Sequence, residues 1–275
     1  MKEALDSALR QLHRTYGREV CAPGGVGGEV GLRAERLPTG VPGLDPLLGG
    51  GWPRGRVVEL FGPEASGKTT LLLLACASAQ RAGRRAAFID AEHRLDPAYA
   101  KALGVDLSQL LVCQPDNGEQ ALDIAEALAR SGAVSVVAVD SVAALVPQSE
   151  IEGSMADPAE GLIARLMSKA MRKIVGVAAK NQVLLLFSNQ LRLVEGVTFG
   201  PSEKTEGGNA LKYYASVRVD LRRIGGFKER GGERTAGDVL RAKVVKNSLG
   251  VPFNQVEFRL RHGVGTEAAP EGGEA

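Results

Sequence analysis

The spacing of apolar residues changes character along the chain, and each change predicts a different kind of element. In Lys2–Tyr16, Leu5, Leu9, Leu12 and Tyr16 recur at helical spacing and form one stripe, which predicts an amphipathic helix. Pro23 and the glycines at 24, 25, 27 and 28 then break all periodicity, so Cys21–Gly31 is predicted as a linker and the first helix as a module docking elsewhere. From Leu37 onward, short apolar runs recur at Val57–Phe61, Ala86–Ile89, Leu110–Cys113, Val134–Asp140 and Val183–Ser188, with helical stretches between them. That alternation predicts an α/β fold, a central and mostly parallel sheet flanked by helices.

After Gly208 the spacing tightens. Ala215–Leu221, Val239–Val245 and Val256–Leu260 read as antiparallel strands extending the sheet, with glycine-rich turns at Gly225–Gly226 and Gly231–Gly232. Gly263–Ala275 carries no apolar pattern and is expected to fray. The expected organisation is a helix and linker over 1–33 as a separate module, an α/β core over 34–265, and a flexible acidic tail over 266–275.

Composition narrows the classes. The chain has 275 residues, 44% hydrophobic and 24% charged, which is ordinary globular composition. A formal net charge of +2 supplies no global attraction to nucleic acid, so any basic surface must be local. Aromatic residues are only 4%, which argues against broad stacking platforms. Cys21, Cys76 and Cys113 form neither a CxxC pair nor a disulfide framework, and they do not cluster with His13, His93 and His262. A reducing, cytoplasmic setting without a zinc site is expected. The apolar runs are too short to span a bilayer, and Met1–Arg10 lacks the apolar core of a signal peptide, so no membrane partner is expected.

Gly62-Pro63-Glu64-Ala65-Ser66-Gly67-Lys68-Thr69 matches GxxxxGK[ST]. It follows a predicted strand and precedes a predicted helix over Thr69–Arg81, the context a phosphate-binding loop requires. The glycines let backbone N–H groups curl around phosphates, and the helix N-terminus adds its positive end. Lys68 would reach the β- and γ-phosphates of ATP, and the Thr69 hydroxyl would ligate Mg²⁺. Asp140, ending an apolar strand, would lie beside this loop and hold Mg²⁺ through a water.

Ser141 stands where many ATPases place their water-activating glutamate, so the base must come from elsewhere. Glu92, just past the neighbouring strand, is the candidate. Asn189-Gln190 forms a third polar tip, whose uncharged amide would bond the γ-phosphate and report its presence. For nucleic acid, the signal is a run from Gly161 to Arg192 with six bases (Arg165, Lys169, Arg172, Lys173, Lys180 and Arg192) and no acid. On a helix the first five fall within an arc of about 100°, beside an apolar arc of Leu166, Ala170, Ile174 and Val177. Such a stripe suits contact with a phosphate backbone.

Together these pieces resemble the bacterial RecA recombinase family. The runs GPEASGKTT, IDAEHRLDPAYAKALGVD, QPDNGEQALDIAEALARSGAV, VDSVAALVPQSEIEG, NQLR and GGNALKYYASVRVDLRRIG carry the likeness, which extends over roughly residues 1–265. The resemblance implies an ATPase core that polymerises on single-stranded DNA as a helical filament, with ATP between neighbouring copies. It also implies homologous pairing with duplex DNA, recombinational repair and a place in the SOS response. Carried over by position, Glu92 is the hydrolytic base and Gln190 the γ-phosphate sensor. Thr70 closes the phosphate loop, Asp96 and Tyr99 contact adenine, and Lys246 reaches a neighbour's nucleotide. Two loops, around Gln148–Arg165 and Arg192–Asn209, bind DNA, with Arg165, Ser168, Arg172, Arg192, Gly207, Gly208 and Asn209 as contacts.

The chain also departs from that family. The family ends with a further small α/β domain and an acidic tail, whereas this sequence stops after Arg261-His262-Gly263; either duplex gating by that domain is absent or the sequence is a shortened form. A KNK run becomes Lys246-Asn247-Ser248, which removes one cation expected to act across the interface and to speed hydrolysis. Glu160 replaces a common methionine in the first loop, and Val194 and Glu195 replace more basic residues in the second. Pro23 falls where an edge strand would pair with the next copy, and Tyr213 replaces a phenylalanine at an assembly contact. Three functions fit: a DNA-dependent ATPase and recombinase; a RecA paralogue that binds ATP, DNA or another recombinase without exchanging strands; and a ring-type motor such as a hexameric helicase. The GGNALKYYAS run favours the first two over the last.

Overall fold

The computed structural model describes residues 2–17, 21, 34–154, 161–193, 203–229 and 235–268. Two compact units are Met1–Glu35 and Arg36–Ala275. The first contains helix α1 (Lys2–Tyr16), the span its periodicity predicts. The linker predicted over Cys21–Gly31 and the turn at Gly231–Gly232 lie largely or wholly outside the described residues.

In the second unit a small ladder, β1 (Arg36–Leu37) with β2 (Trp52–Pro53), brackets the one-turn helix α2 (Leu44–Leu47). Strands β3 (Val57–Gly62), β4 (Ala86–Asp90), β5 (Leu110–Cys113) and β6 (Val136–Asp140) alternate with helices α3 (Lys68–Arg81), α4 (Pro97–Ala102) and α5 (Gly118–Ser131). Next come α6 (Gln148–Ile151), α7 (Leu162–Asn181), β7 (Leu184–Leu193), β8 (Glu203–Thr205) and α8 (Ala210–Tyr214). Strands β9 (Val217–Lys228), β10 (Thr235–Asn247), β11 (Gln255–Arg261) and β12 (Gly265–Ala268) complete the described chain.

The main sheet runs β12-β11-β10-β9-β3-β7-β6-β4-β5, with β8 paired to β7. From β9 to β5 every pairing is parallel, and β10 to β12 extend it antiparallel, as the sequence predicts. Every residue of β3, β4 and β6 is buried, the signature of strands covered on both faces. Alternation sorts their side chains. Val58, Leu60, Phe88 and Leu186 face a core shared with the apolar α3, while Val57, Ile89, Val139 and Phe187 face a core shared with α5 and α7. A basic-and-apolar α7 therefore has one face fixed on the sheet and the other in solvent. Cys76 sits inside the α3 core, where burial pushes its thiol up to about 12.

Three sequence expectations are corrected. Gly225–Gly226 is no turn: both glycines lie inside β9, whose register shifts between the Val239–Gly225 and Leu240–Arg223 pairs, leaving Ile224 as an extra residue. The expected fray from Gly263, with a tail boundary at 265, is also overtaken. Gly265–Ala268 pairs with β11, and Arg261 grips Glu267 across that pair, so a short polar strand is held by its backbone ladder and an ion pair rather than by an apolar pattern. Strand β7 outruns its predicted end at Ser188, because β8 pairs with Leu191–Leu193 and supplies partners beyond the buried segment.

Truncating a central-strand aromatic should reveal the cooperative core. Phe88→Ala is expected to lower unfolding free energy by about 3–5 kcal/mol in urea titration; a loss below about 1 kcal/mol would mean Phe88 is not a core residue.

Candidate nucleotide and DNA site

Strand register builds the site. Gly62 stands opposite Gln190, and Asp90 opposite Asp140, so four strand ends come level at one edge of the sheet. The phosphate loop leaves β3 there and enters α3. Gly67 caps that helix at φ +86 without a side-chain cap, so the first N–H groups of a 14-residue helix stay free of side-chain acceptors. Gly62 has a different reason: a Cβ would lie 2.1 Å from the Leu221 carbonyl oxygen and 2.8 Å from Ser66 Oγ. Pro63, Glu64 and Ala65 are exposed on the loop, and Ser66 is buried beneath it.

Lys68 folds back over the loop. Its Nζ donates to the carbonyls of Gly62 (3.1 Å) and Pro63 (2.6 Å) and to Ser66 Oγ (3.3 Å). Burial lowers its pKa, while Asp140, Glu92 and Glu64 act in the opposite direction. Thr69 Oγ1 donates to Asp140 Oδ2 at 2.7 Å, and Ser188 Oγ donates to the other oxygen. Burial raises the Asp140 pKa; the two hydroxyls and Lys68 oppose that rise, and Glu92 adds to it. A hydroxyl and a desolvated carboxylate side by side are the hard oxygen ligands Mg²⁺ takes alongside water and phosphate. Among the described residues no group of His, Cys, Asp and Glu forms a metal cage by itself. The fit is thus to a metal completed by a nucleotide.

The candidate base Glu92 and the candidate sensor Gln190 are brought together. Gln190 Nε2 donates to Glu92 Oε1 at 3.2 Å, and Ser141 Oγ donates to the same oxygen at 2.6 Å. Arg94 stands 3.7 Å from the other oxygen. Ser141, where the sequence offers no glutamate, holds the candidate base Glu92 through its hydroxyl. Buried Asp90 secures the loop carrying Glu92, accepting from the Arg94 and Leu95 backbone N–H groups and from Gln114 Nε2. No sequence signal marks Gln114, which comes from the end of a neighbouring strand.

Asp96 caps α4, accepting from the Ala98 and Tyr99 N–H groups. Tyr99 bonds Thr70 through its hydroxyl at 2.8 Å, which ties α4 to the phosphate-loop helix α3. Lys246 is not brought to this edge. It pairs with Arg218 in register, at the level of Glu59, and its Nζ donates to the carbonyls of Lys212 and Tyr213 at the end of α8. Ser248 is exposed beyond it.

The ends of both candidate DNA loops converge. Arg165 and Arg172 are exposed on α7, with Ser168 partly covered between them. Arg192 is 67% exposed and pairs with Glu206. Gly207 and Gly208, at φ +76 and +69, sit in close quarters: a Cβ on Gly207 would lie 2.8 Å from Val142 Cγ1, just past β6, and 3.2 Å from Met167 Cγ on α7, and one on Gly208 2.7 Å from Ala164 Cβ on α7. Positive φ and this close packing together demand glycine at both positions. Asn209 begins α8 without a side-chain cap. Glu160, Val194 and Glu195 lie outside the described residues.

Ionised Asp140 is a buried charge, which makes its removal informative. With a native pKa above the ordinary value, the unfolded chain releases the proton first as pH rises, so the carboxylate destabilises the fold increasingly above that value. Asp140→Asn should therefore raise the melting temperature at pH 7.5 without Mg²⁺, and the gain should shrink toward the ordinary aspartate pKa of about 3.9. A lower melting temperature at pH 7.5 would show that the carboxylate stabilises the apo fold.

Comparison with known proteins accords with this geometry. The family model described as RecA N-terminal domain matches residues 3–267. Proteins named "Protein RecA" from Rhodospirillum centenum, Acidiphilium cryptum and Blastochloris viridis are each 54% identical, over 98% of this chain and 75%, 78% and 77% of their own lengths. With strand ends, phosphate loop and sequence all in agreement, the chain belongs to the RecA family.

Proposed function

We propose that the chain exerts its RecA recombinase function as a DNA-dependent ATPase that forms filaments on single-stranded DNA, pairs duplex DNA and exchanges strands. The observation that carries this reading is the hydrogen bond from Gln190 to Glu92. One strand, β7, holds a side chain on the candidate base and runs directly to Arg192 at the mouth of the second candidate DNA loop. The adaptor alternative, with a recombinase partner, is not favoured by relatives at 54% identity over nearly the whole chain.

In this reading the free N–H groups of α3 and Lys68 receive the phosphates of ATP. Thr69 and, through water, Asp140 would hold Mg²⁺, which would supply charge neutralisation at the phosphates. Glu92, steered by Ser141 and Gln190, accepts hydrogen bonding from the attacking water and aligns it with the γ-phosphate. Asp96 and Tyr99 border the adenine. Arg165, Ser168, Arg172, Arg192 and the Gly207-Gly208-Asn209 turn take the DNA backbone. Lys246 points away from its own phosphate loop, so its proposed role is in a neighbouring copy's site, which makes the filament the active unit. Residues 1–33 are proposed as the module that joins copies, and the cytoplasm as the compartment. No helix among the described residues is long and apolar enough to cross a membrane.

ATP hydrolysis measured with and without single-stranded DNA, at low and high salt, tests this directly. Strong stimulation that weakens with salt is expected. Glu92→Gln should keep ATP binding and cut turnover by about a hundredfold or more. Hydrolysis indifferent to DNA would overturn the recombinase reading, and unchanged turnover in the variant would move the base elsewhere.

A further inference from the structure

Strand β3 carries one charged side chain in an otherwise apolar strand. Glu59 is fully buried, and no step above uses it. A carboxylate in that position is unfavourable unless both oxygens are bonded and its charge is paired. Both conditions hold. Arg218 Nε on β9 donates to Oε2, and that guanidinium also lies 4.6 Å above the Phe61 ring. Oε1 accepts from Asn189 Nδ2 at 2.8 Å.

Asn189 is itself fully buried and uses every side of its amide. Nδ2 donates a second bond to the Glu206 carbonyl at 2.9 Å, and Oδ1 accepts from the Gln190 backbone N–H at 2.9 Å. One amide thus touches the strand that launches the phosphate loop, the backbone of the residue that holds Glu92, and the residue whose side chain pairs with Arg192. Arg222, further along β9, clamps Glu203 on β8 with two bonds at 2.9 and 2.6 Å. The return of the second candidate loop is therefore moored to β9 and, through Asn189, to Glu59.

We propose that Glu59 is a positioning residue that couples nucleotide state to DNA affinity. Held by Arg218, it fixes the Asn189 amide so that a shift of Gln190 on meeting the γ-phosphate is passed to Glu206 and Arg192. The proposal rests on the ATPase and DNA-binding reading given above. A purely packing role would need only the shape of Glu59, not its charge or its bond to Asn189. Energetic coupling of two ligands is reciprocal and can be read as one factor: how much a nonhydrolysable ATP analogue tightens single-stranded DNA binding.

That factor is to be measured for the natural chain, for Glu59→Gln combined with Arg218→Gln, for Asn189→Ala, and for all three changes together. Melting temperature and affinity for a fluorescent ATP analogue are recorded alongside. The paired change leaves no unbalanced charge and is expected to keep nucleotide affinity within about twofold. Its tightening factor should fall at least about fivefold. Asn189→Ala should give the same loss, and the triple variant no more than either, because all act on one path. Tightening within about twofold of the natural factor in the paired variant, or losses that multiply in the triple variant, would overturn the proposal. Should the paired variant fail to fold, Asn189→Ala leaves the Glu59–Arg218 pair intact, and retained tightening in it would overturn the proposal by itself. A natural chain with no tightening at all would overturn the recombinase reading and this proposal with it.

Discussion

A parallel sheet buried on both faces leaves polar chemistry few places to go, and its carboxyl edge is the main one. Here register does the assembly. Gly62 lies beside Gln190 and Asp90 beside Asp140, so the phosphate loop, the metal-side carboxylate, the candidate base and the candidate sensor arrive together. The covering helices α3, α5 and α7 fix that register by sorting alternate side chains into two cores. Any slip by one residue would exchange those cores and scatter the site.

The few ionisable groups that penetrate the sheet are each satisfied by neutral or oppositely charged neighbours. Asp140 has two hydroxyls, Asp90 two backbone N–H groups and an amide, and Glu59 an arginine and an amide. Fully bonded networks of this kind are rigid and specify one arrangement. They also link functions that lie far apart in sequence. The thread from Glu92 through Gln190 and Asn189 to Glu206 and Arg192 joins the edge that carries the phosphate loop to the candidate DNA loops. Burial holds the Asp140 pKa above its ordinary value even with its hydroxyl partners.

Much of this was legible in the sequence where the signal is local. The phosphate loop announces itself by glycine spacing between a strand and a helix, and Asp140 by ending an apolar run. The α1 and β5 spans follow from periodicity alone. What escaped is what depends on distant partners. Arg218 and Glu59 are separated by 159 positions, and nothing in either neighbourhood marks them as a pair. Ser188 reads as an ordinary strand-end residue, and Ser141 only as a place where a glutamate is missing, until their hydroxyls meet Asp140 and Glu92. Gly225–Gly226 looked like a turn because glycine pairs usually are; a bulge within β9 uses the same freedom without reversing the chain. Strand β12 has too little apolar content to register as a strand, since a neighbour's backbone holds it.

Lys246 lies apart from its own phosphate loop, which is at the carboxyl edge: the lysine is at the level of Glu59 and is directed to the end of α8. If ATP is shared between copies, two defective chains should repair each other. Glu92→Gln and Lys246→Ala chains, each nearly inactive alone, would be mixed in equal amounts on single-stranded DNA. Random assembly then creates interfaces carrying neither lesion, and about a quarter of the natural hydrolysis rate is expected to return. A mixture no more active than its two components would contradict the shared site and place the whole of catalysis within one chain.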